Sequence, residues 1–385
     1  MSTRLLNRVE AIDIARGIAV FFIPMAHVLL LYGSTSTQEE SWLGIIGHFF
    51  GKWAGVFLIA MGFSYTLSKR NTITSSIQRG AYILLIGYVM NFLKFVPLTV
   101  LGLLPENFVK AYGWSLPLNT NHILYMVLTG DILQLTGLCL CFMGVIHAYA
   151  KKRKEFTLLL AVCMLVLTNY VRGYHTGVGG VDYLLDILWG KDWNVYFPVF
   201  PWFGFILTGM FFGYVYNEHD KNIKETFHKI IRYGSIVALI GGWLCYDNYE
   251  LHMNDYFHLG VGGFLFLLGI NLVFFWLAQQ LYENVKLGKV MAVLQYCSRN
   301  ITSMYVIQWV LICWGMAVLG YKNKTPYEVL IWGIVFTGAT LGVQKLIETI
   351  QFKKRIRQLF GIITVTYKKM LTKVNERKSR STIGF

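Results

Sequence analysis

Apolar windows of about 17–25 residues, the length that crosses a hydrocarbon core as a helix, recur along the whole chain. They lie near residues 11–32, 42–68, 80–104, 122–149, 156–171, 197–216, 231–246, 259–282, 300–320 and 327–350. The pattern predicts ten transmembrane helices, the second and third opening on amphipathic turns, and an even number returns both termini to one side. No Gly/Ser linker, low-complexity tract or insertion large enough for a soluble core interrupts it. Nor does it repeat in the inverted sense that marks many transporters. The expected fold is an all-α polytopic membrane bundle over residues 1–350, followed by a basic, amphipathic tail over 351–385.

The first window breaks the pattern. Its stretch "EAIDIARGIAVFFIPMAHVLLLYG" holds Asp13, Arg16 and His27, and such groups cost several kcal/mol in hydrocarbon unless something pairs with them or uses them. Asp13 and Arg16, three apart, are helix neighbours and can pair. Arg16 and His27 are about three turns apart, roughly 20° from one face, with a rise of about 16 Å; Pro24 between them can bend the helix. A guanidinium near one mouth suits a phosphate or another planar anion, or snorkels to headgroups. A deeper imidazole suits proton transfer, or is a satisfied core residue.

Other windows carry polar residues too. Asp131 falls well inside the fourth, with Gln134 a turn later; Lys52 and Lys94 are candidate partners, and "MNFLKF" sets Asn91 beside Lys94. The ninth carries Arg299, Asn300, Tyr305 and Gln308 in "CSRNITSMYVIQW". His122 and His258 sit at helix ends, where a histidine is usually ordinary. Gly209 and Gly213 form a GxxxG, a pattern of close helix packing. The Gly-rich "HTGVGG" and "HLGVGG" follow no strand and are not dinucleotide fingerprints.

Composition supports the membrane reading: 55% hydrophobic, 14% charged, with a positive mean hydropathy, is too little charge for a soluble domain of this length. The net charge of +15 raises nucleic acid as a partner, but its distribution argues against that reading and leaves it a poor second. Bases gather at alternate ends of the windows: Arg4 and Arg8, Lys69 to Arg79, Lys151 to Lys154, Lys221 to Arg232, Lys286 and Lys289, and the tail from Lys353. The opposite loops hold only Lys110, Arg172, Lys191, Lys322 and Lys324. This asymmetry places both termini in the cytoplasm. The tail interleaves bases with apolar residues and is expected to lie on anionic membrane lipid. No cleavable leader is expected, because the first apolar run is span-length and lacks a small-residue cleavage site. The six cysteines show neither a disulfide framework nor metal spacing, so no metal is expected. The longest opposite-side segments, 105–121, 172–196 and 247–258, carry Trp114, Trp189, Trp193, Tyr196, Tyr249 and Tyr256. These read as an interfacial belt or as rings that stack on a sugar.

Several segments together resemble the transmembrane acyltransferase superfamily, which takes in the acyltransferase-3 and heparan-α-glucosaminide N-acetyltransferase-like proteins. "EAIDIARGIAVFFIPMAH" is similar to the first-helix signature, with "D-x-x-R-G" on Asp13, Arg16 and Gly17 and the Arg-x10-His spacing on Arg16 and His27. "VFLIAMGFSYTLSKR" resembles the second-helix segment, and Arg79 matches a basic position before the third. "DILQLTGL", "FPWFGFILTGMFFG" and "SRNITSMYVIQW" are similar to later elements, and Gln308 stands where many relatives have histidine. The heparan-type enzymes place the catalytic histidine in the first external loop, a role that His48 would fill here.

The resemblance implies an acyltransferase that moves an acyl group, acetyl first among the candidates, from cytoplasmic acetyl-CoA or another acyl-CoA through the bundle. The acceptor it implies is a hydroxyl or amine of an external glycan or lipid-linked sugar. His27 or His48 would be the base, with Asp131 or Asp13 orienting it. Asp13, Arg16, Arg79, Lys94, Tyr305 and Gln308 would form the donor site. The setting implied is the inner or plasma membrane of a bacterium, and a homo-oligomer is compatible with it. The rival from another class is a proton-coupled transporter or exporter that uses Asp131, His27 and Arg16 as a relay.

Overall fold

The computed structural model describes residues 9–285 and 288–350, with side chains throughout except at residues 48–50. The expected tail over 351–385 lies outside the described residues.

Every expected window is helical. The first is α1 (Glu10–Tyr32), followed by the short α2 (Thr35–Glu39). The second is divided at Lys52 and Trp53 into α3 (Trp42–Gly51) and α4 (Ala54–Thr66). The third, α5 (Ile73–Val100), begins about two turns earlier than its apolar window. After α6 (Glu106–Ala111), the fourth is divided as well, into α7 (Thr120–Leu128) and α8 (Ile132–Ala150). There follow α9 (Glu155–Val171), α10 (Gly179–Trp189), α11 (Val199–Glu218), α12 (Ile223–Asp247), α13 (Tyr249–His252) and α14 (Val261–Asn284). An amphipathic helix that apolar windows do not reveal, α15 (Gly288–Arg299), precedes α16 (Ile301–Leu319) and α17 (Pro326–Thr349). Among the described residues no strand forms, only isolated bridges at Gly33–Lys324 and Gly130–Val195. Seven of these helices are long and apolar enough to cross a membrane. The protein is an all-α, multi-pass membrane protein.

The chain divides into two compact units, residues 1–337 and 338–385; the second holds, within its described residues, the C-terminal end of α17. In the first unit the usual soluble pattern is inverted. Leu85 and Val89 on α5, Leu159, Val162 and Val166 on α9, and Leu239 and Ile240 on α12 face outward. Asn91, Lys94, Asp131, Gln134 and Gln308 lie inside. Such an exterior is soluble in lipid, and the interior groups must find partners within the protein.

Helix α11 is almost wholly buried, and glycines let α4 approach it. A Cβ at Gly209 would lie 2.1 Å from the Ile59 carbonyl oxygen, and one at Gly62 would lie 2.0 Å from that of Ile206. The GxxxG is thus a packing surface, as its spacing predicts. Helix α1 packs against α3, α4, α14, α15 and α16, so its polar residues face the interior of the bundle.

The two ends of the bundle differ chemically. One end gathers the basic α4–α5 and α8–α9 connections, and Lys154 there reaches Glu218 at the end of α11 at 2.6 Å. At the other end the aromatic loops are joined: Arg172 donates to the His258 and Leu259 carbonyls at 2.7 and 2.6 Å. There too the Trp202 indole N–H donates to the Phe257 carbonyl at 2.7 Å.

Candidate active site

Helix α1 runs from the basic end to the aromatic end and carries two sites on one face. At the basic end, Arg16 pairs with Asp13 one turn earlier. Its Nε donates to Ser298 Oγ at 2.9 Å, and that hydroxyl donates to Asp13 Oδ1 at 2.9 Å. This triangle ties α1 to α15, and Gly17 makes it possible: a Cβ there would lie 2.2 Å from the Leu294 carbonyl oxygen. The "D-x-x-R-G" element therefore has a structural cause in the seam between α1 and α15. Arg16 keeps 18% of its side chain exposed, on a cavity of about 240 Å³ that it shares with Asp13, Ser64 and Ser68. Arg79, exposed at the same end, donates to the Arg70 carbonyl at 3.3 Å.

A second cavity, of about 300 Å³, opens one turn above Arg16 along the same helix face. Ala19, Ile23, Ala26, His27 and Leu30 line it from α1 at the i, i+4, i+7 spacing of one face, with Leu29 and Leu31 joining them toward the end of the helix. Its opposite walls bring Lys52, Lys94, Asp131, Tyr196, Tyr256, Tyr305 and Trp309. The cavity reaches from the middle of α1 to the aromatic end.

His27 is held from two sides. Its ring stacks on Trp309, centroids 3.8 Å apart, and its Nδ1 lies 2.9 Å from Gln308 Oε1. The fully buried Gln308 is itself oriented, because its Nε2 donates to the Tyr305 carbonyl at 3.2 Å. With the amide nitrogen so engaged, Oε1 faces the imidazole and can only accept. Nδ1 must then carry the proton, which leaves the Nε2 lone pair as the basic site of the neutral ring. The group that orients the histidine is thus an amide, not the expected carboxylate. Asp13 is engaged about four turns away, at the basic end.

Asp131 is not in mid-helix, as its place in an apolar window suggested. It is the N-cap of α8, in the break that divides the fourth window. Thr-Gly-Asp followed by Gln134 is a capping box: Asp131 Oδ1 accepts from Ile132 N–H at 2.7 Å, and Gln134 Oε1 accepts from Asp131 N–H at 3.1 Å. The break is fully tied. Gly130 N–H donates to the Asn194 carbonyl at 2.7 Å, and Asn91 Nδ2 donates to the Val127 and Thr129 carbonyls at 3.1 and 2.8 Å. Interrupted helix is tolerated in a membrane where side chains re-satisfy the backbone in this way. The capping geometry leaves Asp131 Oδ2 to accept from the Tyr305 hydroxyl at 2.9 Å. Lys94 bonds to Asn91 Oδ1 at 3.3 Å.

The structure therefore divides the expected donor set. Asp13 and Arg16 lie at the basic end, with Arg79 exposed near them, whereas Lys94, Tyr305 and Gln308 surround His27 and Asp131. His48 belongs to α3 between the cavity-lining Gly47 and Gly51, and its side chain lies outside the described residues. Lys52, considered as a partner for Asp131, is a cavity wall. His122 caps α7 and stacks on Trp114. His258 is buried between Asp255 and the Val195 carbonyl, at 2.7 and 3.0 Å. Of the loop aromatics, Tyr196 and Tyr256 reach the cavity. Sequence reasoning did not single out Ser298 or Trp309. Trp309 follows Gln308 and lies four residues after Tyr305, so it shares their helix face, and that signal was available.

The sequence model of the family described as heparan-alpha-glucosaminide N-acetyltransferase, catalytic, matches residues 8–252. That is well over half of the chain, and the chain belongs to this family. The match takes in Arg16, His27, Lys94 and Asp131 and ends before Ser298, Tyr305 and Gln308. No curated protein matches the chain.

Proposed function

We propose that this membrane acetyltransferase takes the acetyl group of acetyl-CoA at the basic, cytoplasmic end. It passes the group to a hydroxyl or amine of a glycan or lipid-linked sugar that enters the cavity from the external, aromatic end. Arg16, with Arg79 near it, holds CoA phosphates, a task suited to a planar guanidinium. The pantetheine arm follows the face of α1 that runs from Arg16 past Ala19 toward His27. His27 is the general base.

The observation that carries the reading is the Gln308 contact, which presents an unprotonated Nε2 in a cavity large enough for an acyl group and an acceptor atom. The reaction then balances. His27 Nε2 removes the acceptor's proton, and the acceptor atom bonds to the acetyl carbon. The C–S bond breaks, and the CoA thiolate takes the proton back from the imidazolium. Tyr196 and Tyr256 offer faces on which a sugar ring can stack. Asp131 and Tyr305, bonded to each other, form a polar wall beside the base.

Purified protein incubated with acetyl-labelled CoA thioester tests this. Acetyl transfer to a sugar acceptor, or slow hydrolysis without one, is the expected result. Proton flux in vesicles without thioester turnover would assign the polar residues to a transporter instead.

A further inference from the structure

We propose that the Lys94 ammonium is the oxyanion-binding group of the cavity, holding the acyl carbonyl oxygen as that atom becomes negative. The inference rests on the acyl-transfer reading given above.

Lys94 is 6% exposed and lines the cavity. Of its three donors, one finds an acceptor among the described residues, Asn91 Oδ1 at 3.3 Å. Asp131, the acid of the same cavity, makes no direct ion pair with it among the described residues; its two oxygens accept from Ile132 N–H and the Tyr305 hydroxyl. The Phe95 and Trp309 rings lie 4.9 and 4.5 Å from Nζ and replace only part of its hydration. A buried cation with donors to spare is costly unless an anion joins it. The reaction itself makes such an anion inside this cavity, on the oxygen of the tetrahedral centre beside His27.

The His27 ring lies 3.8 Å and the Lys94 Nζ 4.5 Å from the Trp309 ring, so the two are no more than about 8 Å apart, and both line the same cavity. A base, an attacking atom, an acyl carbon, an oxyanion and its donor in sequence span roughly 7–8 Å at most, from two hydrogen bonds and two covalent bonds. The ammonium is also fixed in advance. The amide that accepts from it, Asn91, is locked by its two bonds to carbonyls of the α7–α8 break. Donors set before charge develops lower the barrier most.

In the step, attack of the acceptor on the thioester carbon moves the C=O π pair onto oxygen, which Lys94 receives by hydrogen bonding. Collapse restores the carbonyl and expels the thiolate, while Lys94 keeps all its protons.

Lys94→Met keeps the apolar stem and removes the charge, a change that buried sites usually tolerate. With acetyl-CoA as donor and water or sugar as acceptor, kcat should fall about 100- to 1,000-fold, with the KM for acetyl-CoA unchanged. A trifluoromethyl ketone analogue of acetyl-CoA, whose hydrate mimics the tetrahedral centre, should lose affinity by a similar factor while acetyl-CoA itself binds as before. Equal loss of affinity for both ligands would reduce Lys94 to a packing role and overturn the proposal. Unchanged hydrolysis with a raised KM for an anionic acceptor would also overturn it, and would assign Lys94 to the acceptor's carboxylate or phosphate. If the native protein turns over acetyl-CoA and Lys94→Met matches it, this inference alone fails. Absence of turnover in the native protein would overturn both readings.

Discussion

Replacing Gln308 with leucine isolates the contact on which the assignment of the base depends. Leucine fills much of the same buried volume but offers no acceptor, so the bond from His27 Nδ1 (2.9 Å) is lost. It also frees the Tyr305 carbonyl from its 3.2 Å partner. A buried donor left without its acceptor costs about 1–3 kcal/mol. The imidazole can relieve that cost by turning or by moving its proton to Nε2, the nitrogen that must stay free. Either response depletes the reactive form by roughly 5- to 150-fold, since about 1.4 kcal/mol is a factor of ten. The loss should appear in kcat, with the KM for acetyl-CoA unchanged, because Gln308 is far from the Arg16 end. Gln308→Glu keeps an oxygen facing Nδ1 and should retain activity within a few-fold. The assay is steady-state release of CoA by purified, monodisperse protein in detergent. A Gln308→Leu protein with native kcat would refute the tautomer argument.

Arg16→Lys should weaken acetyl-CoA binding by about 1–3 kcal/mol, because a point charge replaces a fork that also serves Asp13 and Ser298; equal affinity in a titration would confine Arg16 to the α1–α15 contact. Gly209→Ala sets a Cβ 2.1 Å from the Ile59 carbonyl and should cost about 1–3 kcal/mol or more, seen as a melting temperature several degrees lower in detergent. An unchanged melt would mean that α4 and α11 have slack there. In the 172–196 loop, His175 lies 2.7 Å from Asp186, whose hydrogen bond holds the imidazolium above the ordinary histidine range. A raised folded value contributes fully below the unfolded value near 6.5 and is lost as pH rises through the folded one. Hydrogen exchange in that loop should therefore accelerate beyond its intrinsic rate as pH rises above the ordinary histidine value of about 6.5, and His175→Ala should abolish the extra step.

What could be read from the chain alone follows the range of each interaction. The common face of Arg16 and His27 is a matter of helical period, and α1 keeps it. The Asp13–Arg16 pair and the GxxxG packing are local patterns, and both are present. The break at Thr129 to Asp131 is local as well, but an apolar window averages over it. Its sign was the N-cap acid with glutamine three residues on, not hydropathy. Helix α15 was missed for a related reason, since it is amphipathic and too polar to register as a span. The partners of the two key residues were out of reach. Ser298 is 282 residues from Arg16, and Gln308 is 281 from His27. Such contacts depend on which helices become neighbours, and no spacing rule supplies that.

If His27 performs the proton transfer, the His27→Ala enzyme must lose that step while keeping its donor. Transfer of labelled acetyl to a sugar acceptor, followed in monodisperse protein alongside acetyl-CoA binding, separates chemistry from donor recognition. General-base assistance is typically worth about 100- to 10,000-fold. A loss of that size in kcat is expected, with acetyl-CoA affinity preserved and His48→Ala close to native. Native turnover by a well-folded His27→Ala protein, or a comparable loss on His48→Ala alone, would contradict it.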